Sequence, residues 1–236
     1  MAQPLVLVNR CTVLTDAQIS VVIPAFQAQV TEDWLPHWPG RDATIGFVGL
    51  NGSVPNGVWP LYILDHTDIP GAGGYHDDDM SLVQGKVFAA DAMELGQQWT
   101  VDASHELLEM LGDPLADTIL PIPPPAGMPH LNWHCLQEVC DACEEDLYAY
   151  MKKGLLVSDF CLPSYFTHAG PPYDFRGQLP GPSPTLLPGG YLGIELPNGQ
   201  WTQVTSPFAD GKMSRRAKNN HRIGRRVAAL TQAHAG

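Results

Sequence analysis

The segment from Trp99 to Pro114, WTVDASHELLEMLGDP, has the residue spacing best suited to chemistry. His105 and Glu109 are four residues apart, so on a helix their side chains lie on one face. Imidazole and carboxylate are both zinc ligands, and Glu106 follows the histidine directly, as the base does in H-E-x-x-H helices. The spacing therefore predicts a divalent metal site in which Glu109 replaces the second histidine. The alternative is an ordinary amphipathic helix, because Glu and Leu are strong helix formers.

Three segments together resemble a zincin-like group of bacterial and phage proteins. They are SHELLEMLGDP, QEVCDACE and VSDFCLPSYF, with the pattern S-H-E-x-x-E-x-x-x-D-P, then E-x-x-D, then V-S-[DN]-F. The upstream segments LTDAQISVVIPAFQAQVTEDWLPHW and GGYHDDD are also similar to that group, and the likeness covers most of residues 1–168. The resemblance implies an α+β, zincin-like fold with an N-terminal mixed sheet, an edge strand preceding an active-site helix, and a bound metal ion.

The resemblance also implies a set of metal ligands. Zinc in a hydrolase usually has three protein ligands and a water molecule. His105 and Glu109 supply two ligands, and Glu138 of the E-x-x-D segment is expected to be the third. Asp113, just past the helix, is the alternative third ligand, and Asp141 would orient one of the ligands.

Such a site is expected in a zinc-dependent hydrolase, and first of all in a peptidase. Glu106 would take a proton from a metal-activated water molecule that attacks a scissile carbonyl group. The side chains of His76 and Tyr165 are candidates to assist. One histidine with two carboxylates makes the metal a weaker Lewis acid than two histidines with one carboxylate, and favours harder ions such as Mn²⁺ or Ca²⁺. Another divalent cation, or a structural ion, is therefore the alternative to catalytic zinc.

The residues before the metal helix predict the elements that position it. Three segments have the composition of strands, and Ala17 to Val30 has helical periodicity that Pro24 interrupts near Val22 and Ile23. The predicted strands are Pro4 to Asn9, Ala43 to Leu50 and Trp59 to Asp65.

Two glycine-containing segments follow. Asp68 to Asp79 predicts either a hard-cation loop or a solvated turn, and the missing calcium-loop pattern favours the turn. Gly85 to Met93 predicts a strand. By the resemblance, Val87 to Ala90 would be an edge strand that binds an extended peptide; otherwise it is a plain edge strand.

The chain after the metal helix divides by composition. The proline-rich segment from Ile119 to Pro129 predicts a stiff, extended excursion. Two short strands joined by a KKG turn are predicted at Leu147 to Met151 and Leu155 to Phe160. We expect a zincin-like domain over residues 1–168, a Pro/Gly-rich extension over 169–211 with a hairpin at Tyr191 to Val204, and a basic tail over 212–236.

Charge is distributed unevenly along the chain. The formal net charge is −12, yet Lys212 to Arg226 contains seven basic residues and no acidic residue follows Lys212. The preceding residues carry six basic and all 25 acidic residues, a net charge of −19. We expect the tail to bind an acidic protein partner, other subunits or the acidic body of its own chain. Nucleic acid is a weaker expectation, because no aromatic residues are interleaved for base stacking.

The cysteines predict no disulfide framework. There are five of them, and an odd count cannot be fully paired. Cys140 and Cys143 form a single C-x-x-C, and a four-thiolate zinc site needs a second such pair. Reduced, partly buried thiols are therefore expected.

The sequence also bears on localisation and on the class of function. It contains no apolar run of about 18 residues, so no transmembrane helix is expected, and the N-terminus MAQPLVLVNR lacks the pattern of a signal peptide. We expect a cytoplasmic protein, or a virion component if the gene belongs to a phage. The two candidate functions are a zinc-dependent peptidase and a non-catalytic assembly protein built on a zincin-like scaffold.

Overall fold

The computed structural model describes residues 2–68, 73–79, 82–124, 133–196 and 198–206, with main chain only for 77–79. Within these ranges the protein is mixed α+β, as predicted. The helices are α1 Asp16–Ser20, α2 Ile23–Ala28, α3 Ala89–Glu94, α4 Trp99–Gly112 and α5 Pro163–Thr167. The strands are β1 Gln3–Asn9, β2 Ala43–Val48, β3 Trp59–Leu64, β4 Gly74–Asp79, β5 Leu82–Phe88, β6 Ile119–Ile122, β7 Trp133–Leu136, β8 Tyr150–Lys152, β9 Leu155–Val157, β10 Tyr191–Glu195 and β11 Trp201–Thr205.

A five-stranded mixed sheet forms the N-terminal half. Its strand order is β2-β1-β3-β5-β4; the first four strands are parallel and β4 runs antiparallel to β5. Leu5, Leu7, Leu61 and Ile63 are buried, as expected for parallel strands that are covered on their faces. Helix α4 packs against β3, β4 and β5. The mixed sheet predicted ahead of this helix is therefore present.

The predicted edge strand was assigned to the wrong segment. Strand β5 ends at Phe88, Ala89 begins α3, and β5 pairs with β3 on one side and β4 on the other. The edge of the sheet is β4, which lies in the segment predicted as a solvated turn. Gly and Asp are poor strand formers, but six consecutive residue pairs with β5 override that local preference.

The interrupted N-terminal helix follows the prediction. Thr15 and Gln18 form a capping box at the start of α1, and α2 begins at Ile23 with Pro24 in its first turn. A π-helical turn, Gln29–Trp34, continues α2 and buries Trp34. The proline therefore divides one predicted helix into two.

A second sheet unites the C-terminal segments with the body. Its strand order is β11-β10-β7-β6, and Ile194 of β10 is paired with Cys135 of β7. The hairpin β10–β11 matches the prediction, but the extension that contains it is no detached linker, because Leu192 and Ile194 are buried in the common core. The proline-rich excursion begins as strand β6 rather than as a polyproline helix. Residues 125–129 of this segment fall in the gap 125–132, and they and the basic tail lie outside the described residues.

A short hairpin, β8–β9, ties the other side of α4 to the body. Lys153 and Gly154 have φ values of 46° and 85°, so the predicted KKG turn is present. Thr100 Oγ1 donates a 2.8 Å hydrogen bond to the carbonyl oxygen of Leu156. Helix α4 is thus held between the sheet and β9. In the described ranges no helix has the length and apolar character needed to cross a membrane.

Candidate metal centre

Helix α4 is buried along its whole length, including its ionisable residues. All 14 of its residues are buried. His105, Glu106 and Glu109 are each at most 3% exposed. Burying charged groups is costly unless partners compensate them. The residues around this helix therefore decide what the three side chains can do.

The first candidate metal group is His105, Glu109 and Asp141. His105 Nε2 lies 3.2 Å from Glu109 Oε1 and 3.2 Å from Asp141 Oδ1. Asp141, the last residue of the E-x-x-D segment, begins a single 3₁₀ turn, Asp141–Cys143. The main-chain N–H of Cys140 donates a 3.3 Å hydrogen bond to Glu109 Oε1, which fixes that oxygen toward the group.

The second candidate metal group is His76, Glu109 and Glu138. His76 lies on edge strand β4, where it is 1% exposed. Its Nε2 donates a 3.0 Å hydrogen bond to the carbonyl oxygen of Asp113. In the neutral ring this bond assigns the proton to Nε2, so the lone pair of Nδ1 faces Glu109 Oε2 at 3.6 Å. A histidine that binds a metal through one ring nitrogen usually donates the N–H of the other to a carbonyl group, a carboxylate or water.

Glu106 lies beside the second group. Its Oε2 is 3.5 Å from His76 Nδ1. Gly74 of β4 makes this approach possible, because a Cβ atom there would come within 2.7 Å of Glu106 Cγ and Oε1. Glu106 is therefore close to the candidate ligands without being a member of either group.

The predicted ligands are present but are combined differently. Glu138 joins His76, whereas Asp141, predicted only to orient a ligand, faces His105. Asp113 contributes its carbonyl group to His76, while its carboxylate accepts hydrogen bonds from Thr118 N at 2.9 Å and Thr118 Oγ1 at 2.8 Å. The predicted groups thus converge, except for the carboxylate of Asp113.

Tyr165 belongs to neither candidate group. Its hydroxyl donates a 2.8 Å hydrogen bond to the carbonyl oxygen of Thr185. The close approach of Gly74 to Glu106 was not predicted from the sequence, although Gly74 is the first residue of the G-Y-H-D segment. His76, predicted as a side chain that could assist at the site, is a buried member of the second candidate group.

Electrostatics favour a positive charge at the centre. Burial alone would lower the pKa of His105, but the charge of Glu109 and the hydrogen-bonding groups of Asp141 and Glu109 raise it well above its usual value. A divalent cation would meet the same demand with both imidazoles neutral. Zinc bonds of 2.0–2.1 Å in a tetrahedron separate two ligand atoms by about 3.3 Å. The 3.2 Å contacts of His105 fit that spacing.

The cysteines take no part in either candidate group. All five are free and buried, as the odd count predicted. Burial raises the pKa of Cys135 to about 12, and burial also raises the pKa values of Cys140 and Cys143 well above the usual range. Without an ion beside them, these thiols therefore stay protonated at neutral pH.

Comparison of the chain with protein-family models, curated proteins and solved structures gave no match. The likeness to the zincin-like group therefore rests on the motifs of the sequence. Independently of that likeness, the arrangement offers histidine and carboxylate ligands on both sides of Glu109 and a further carboxylate, Glu106, next to them. Chemically, it can hold a divalent cation beside a proton acceptor.

Proposed function

We propose that this protein is a metal-dependent hydrolase with a zincin-like active site, that its ion is zinc or another divalent cation, and that its substrate is a peptide. The single observation that carries the proposal is the position of Glu106. Its carboxylate approaches His76 to 3.5 Å without belonging to either ligand group, as a general base would. His105, Glu109 and Glu138, with Asp141 and His76, are the proposed ligands.

The chemistry divides between the ion and the chain. A bound divalent cation polarises a carbonyl group and makes a water molecule more acidic. Glu106 accepts the proton of the attacking water molecule and can return it to the leaving amine. The surrounding helix and strand exclude bulk water, which strengthens the electrostatic effect of each charge.

Edge strand β4 is the proposed peptide-binding element. Among the described strands it is the last of its sheet, so its outer main-chain groups can pair with an extended peptide. It also contributes His76, next to Glu106. The proposed peptide-binding strand is therefore Gly74–Asp79, in place of the segment Val87 to Ala90 that the resemblance implied.

The test is peptide cleavage by the full-length protein loaded with zinc, with Glu106→Gln as the inactive variant. We expect the substitution to lower the cleavage rate by about 10²–10⁴-fold, because it removes the base. The zinc content should stay unchanged, since Glu106 is no ligand. Glu94→Gln, an exposed glutamate on α3, is the matched control and should cleave normally. Equal rates in all three proteins would refute the hydrolase.

A second candidate function is a non-catalytic assembly protein, such as a virion component. The observation that favours it is the burial of the centre, because none of the five proposed ligands is more than 3% exposed. An ion enclosed in this way would stabilise the fold, and the basic segment Lys212 to Arg226 would bind an acidic neighbour or another subunit. Stoichiometric zinc in a protein that cleaves no member of a peptide library would support this second function.

A further inference from the structure

The two candidate metal groups share one residue, and they use its two oxygen atoms separately. Glu109 Oε1 faces His105, while Glu109 Oε2 faces His76. Asp141 belongs to the first group only, and Glu138 to the second only. Each side of Glu109 therefore has its own histidine and its own second carboxylate.

The distances in these groups are longer than those of strong ion pairs. Charge-assisted N–H···O bonds usually measure about 2.7–2.9 Å. The contacts of His105 Nε2 with Glu109 and Asp141 are 3.2 Å, and His76 Nδ1 lies 3.6 Å from Glu109 Oε2. Ligand atoms around one tetrahedral zinc ion stand about 3.3 Å apart, because each is 2.0–2.1 Å from the metal. The spacing on both sides of Glu109 is therefore compatible with an ion between the side chains.

The orientation of His76 is an independent observation that points to a ligand. Its ring is buried, and its Nε2 is bonded to the carbonyl group of Asp113, so Nδ1 is aimed into the carboxylates. His105 approaches from the opposite side of Glu109 and comes from helix α4 rather than from the sheet. Two imidazoles from different elements thus converge on one carboxylate.

We propose that the centre holds two divalent cations bridged by the carboxylate of Glu109. The first ion is bound by His105 and Asp141, and the second by His76 and Glu138. A carboxylate bridge places two ions about 3.5–4 Å apart in two-metal hydrolases. This inference deepens the proposed function and rests on its metal site, which was predicted to hold a single ion.

The decisive measurement is the number of metal ions per chain. Full-length protein is stripped by prolonged dialysis against a chelator and loaded by an equally long incubation with zinc, because the buried side chains allow only slow exchange. After removal of excess ion, its metal content is measured by inductively coupled plasma mass spectrometry. We expect two zinc ions per chain. Protein loaded with Mn²⁺ should in addition give the electron paramagnetic resonance spectrum of an exchange-coupled pair. Neither measurement depends on a variant that has to fold.

Two isosteric variants address the ions one at a time. Asp141→Asn should remove the first ion and Glu138→Gln the second, so each protein should fall from two ions to one. Each should also show the spectrum of isolated Mn²⁺ in place of the coupled signal. Glu195→Gln changes a carboxylate that contacts His134 on the second sheet, and as the matched control it should keep both ions.

The outcomes separate this inference from the proposed function. A wild-type protein with one ion and no coupled signal overturns the two-ion centre and leaves a one-metal hydrolase intact. A wild-type protein with no stoichiometric metal overturns both. Two ions that persist in Glu138→Gln and in Asp141→Asn refute the ligand assignment, and with it the bridge at Glu109.

Discussion

At the scale of single residues, the spacing of four between His105 and Glu109 was sufficient to predict that the two side chains meet. Helical geometry is local, so the sequence carries that information directly. The partition of Glu138 and Asp141 between two histidines could not be predicted in this way. Glu138 and Asp141 lie in an irregular segment, where a spacing of three residues does not determine the direction in which each side chain points. The position of His76 depends on the pairing between β4 and β5.

A buried pair of aspartates, Asp159 and Asp174, lies outside the candidate metal centre, with Asp159 in the V-S-D-F segment. Burial, and then the neighbouring carboxylate of Asp174, raise the pKa of Asp159 to about 9. Asp159 Oδ1 accepts hydrogen bonds from Phe160 N at 2.8 Å and Arg176 N at 3.2 Å. At neutral pH the folded protein therefore keeps a proton on Asp159, which it can share with Asp174.

This proton predicts a pH dependence of stability. An aspartate in the unfolded chain titrates near pH 4, so between about pH 4 and 9 only the folded state holds the proton. The contribution of Asp159 to stability is complete below pH 4 and is lost as pH rises toward 9, with a limiting slope of about 1.4 kcal/mol per pH unit. Urea unfolding of chelator-treated protein at pH 5 and 8 measures it.

Asp159→Asn provides the comparison, because the amide group resembles a protonated carboxyl group. We expect the variant to lose less stability than the wild type between pH 5 and 8. Asp117→Asn, at an exposed position, is the control and should follow the wild type. Equal slopes in all three proteins would show that Asp159 is ionised in the folded state.

At the scale of elements, the sequence predicts a helix from about Trp99 to Leu111, which agrees with α4, Trp99–Gly112, whereas β4 was predicted as a turn. Helix α4 combines an apolar face with a Gly-Asp-Pro ending, and both signals are local. Strand β4 has glycine and three aspartates, and only its pairing with β5 makes it a strand. The edge of the sheet was therefore misassigned for a physical reason: strand pairing over distance can overcome local propensity.

The contact between α4 and the segment after β9 can be tested through one hydroxyl group. Ser104 Oγ accepts a 2.8 Å hydrogen bond from the main-chain N–H of Ser158, and both residues are buried. Ser104→Ala leaves that N–H without its acceptor, so we expect the free energy of unfolding to fall by about 1–3 kcal/mol. Urea unfolding provides the measurement.

A helical serine at a more open position is the control for this substitution. Ser20 on α1 donates to the carbonyl oxygen of Ala17 in an exposed contact, so Ser20→Ala should cost less than Ser104→Ala. If the two substitutions cost the same, the hydrogen bond between Ser104 and Ser158 does not stabilise the junction.

At the scale of the whole molecule, the candidate metal centre joins elements that are far apart in the sequence. His76 comes from the N-terminal sheet, Glu109 from α4, and Asp141 from the turn that precedes the β8–β9 hairpin. Leu187 N donates a 3.0 Å hydrogen bond to the carbonyl oxygen of Ala142, which connects the same turn to the C-terminal segment. An ion bound here would therefore link both halves of the fold.

This linkage predicts that metal stabilises the whole protein. An ion that binds only the folded state adds about 2.7 kcal/mol at a free concentration of 100 times its dissociation constant. Calorimetry of chelator-treated and zinc-loaded protein should show a clear rise in the unfolding temperature. Glu109→Gln should abolish most of the rise, because both candidate groups lose a ligand. An unchanged unfolding temperature in the wild type would contradict the metal site.

The close packing of β4 on α4 would also limit the rate at which a bound ion exchanges. Gly74 lies against Glu106, and His76 is buried beside Glu109. An ion at these side chains could be exchanged only during rare local openings that separate the strand from the helix. Occupancy would then be set as the chain folds, and the mature protein would keep the ion it first acquired long after the supply around it had changed.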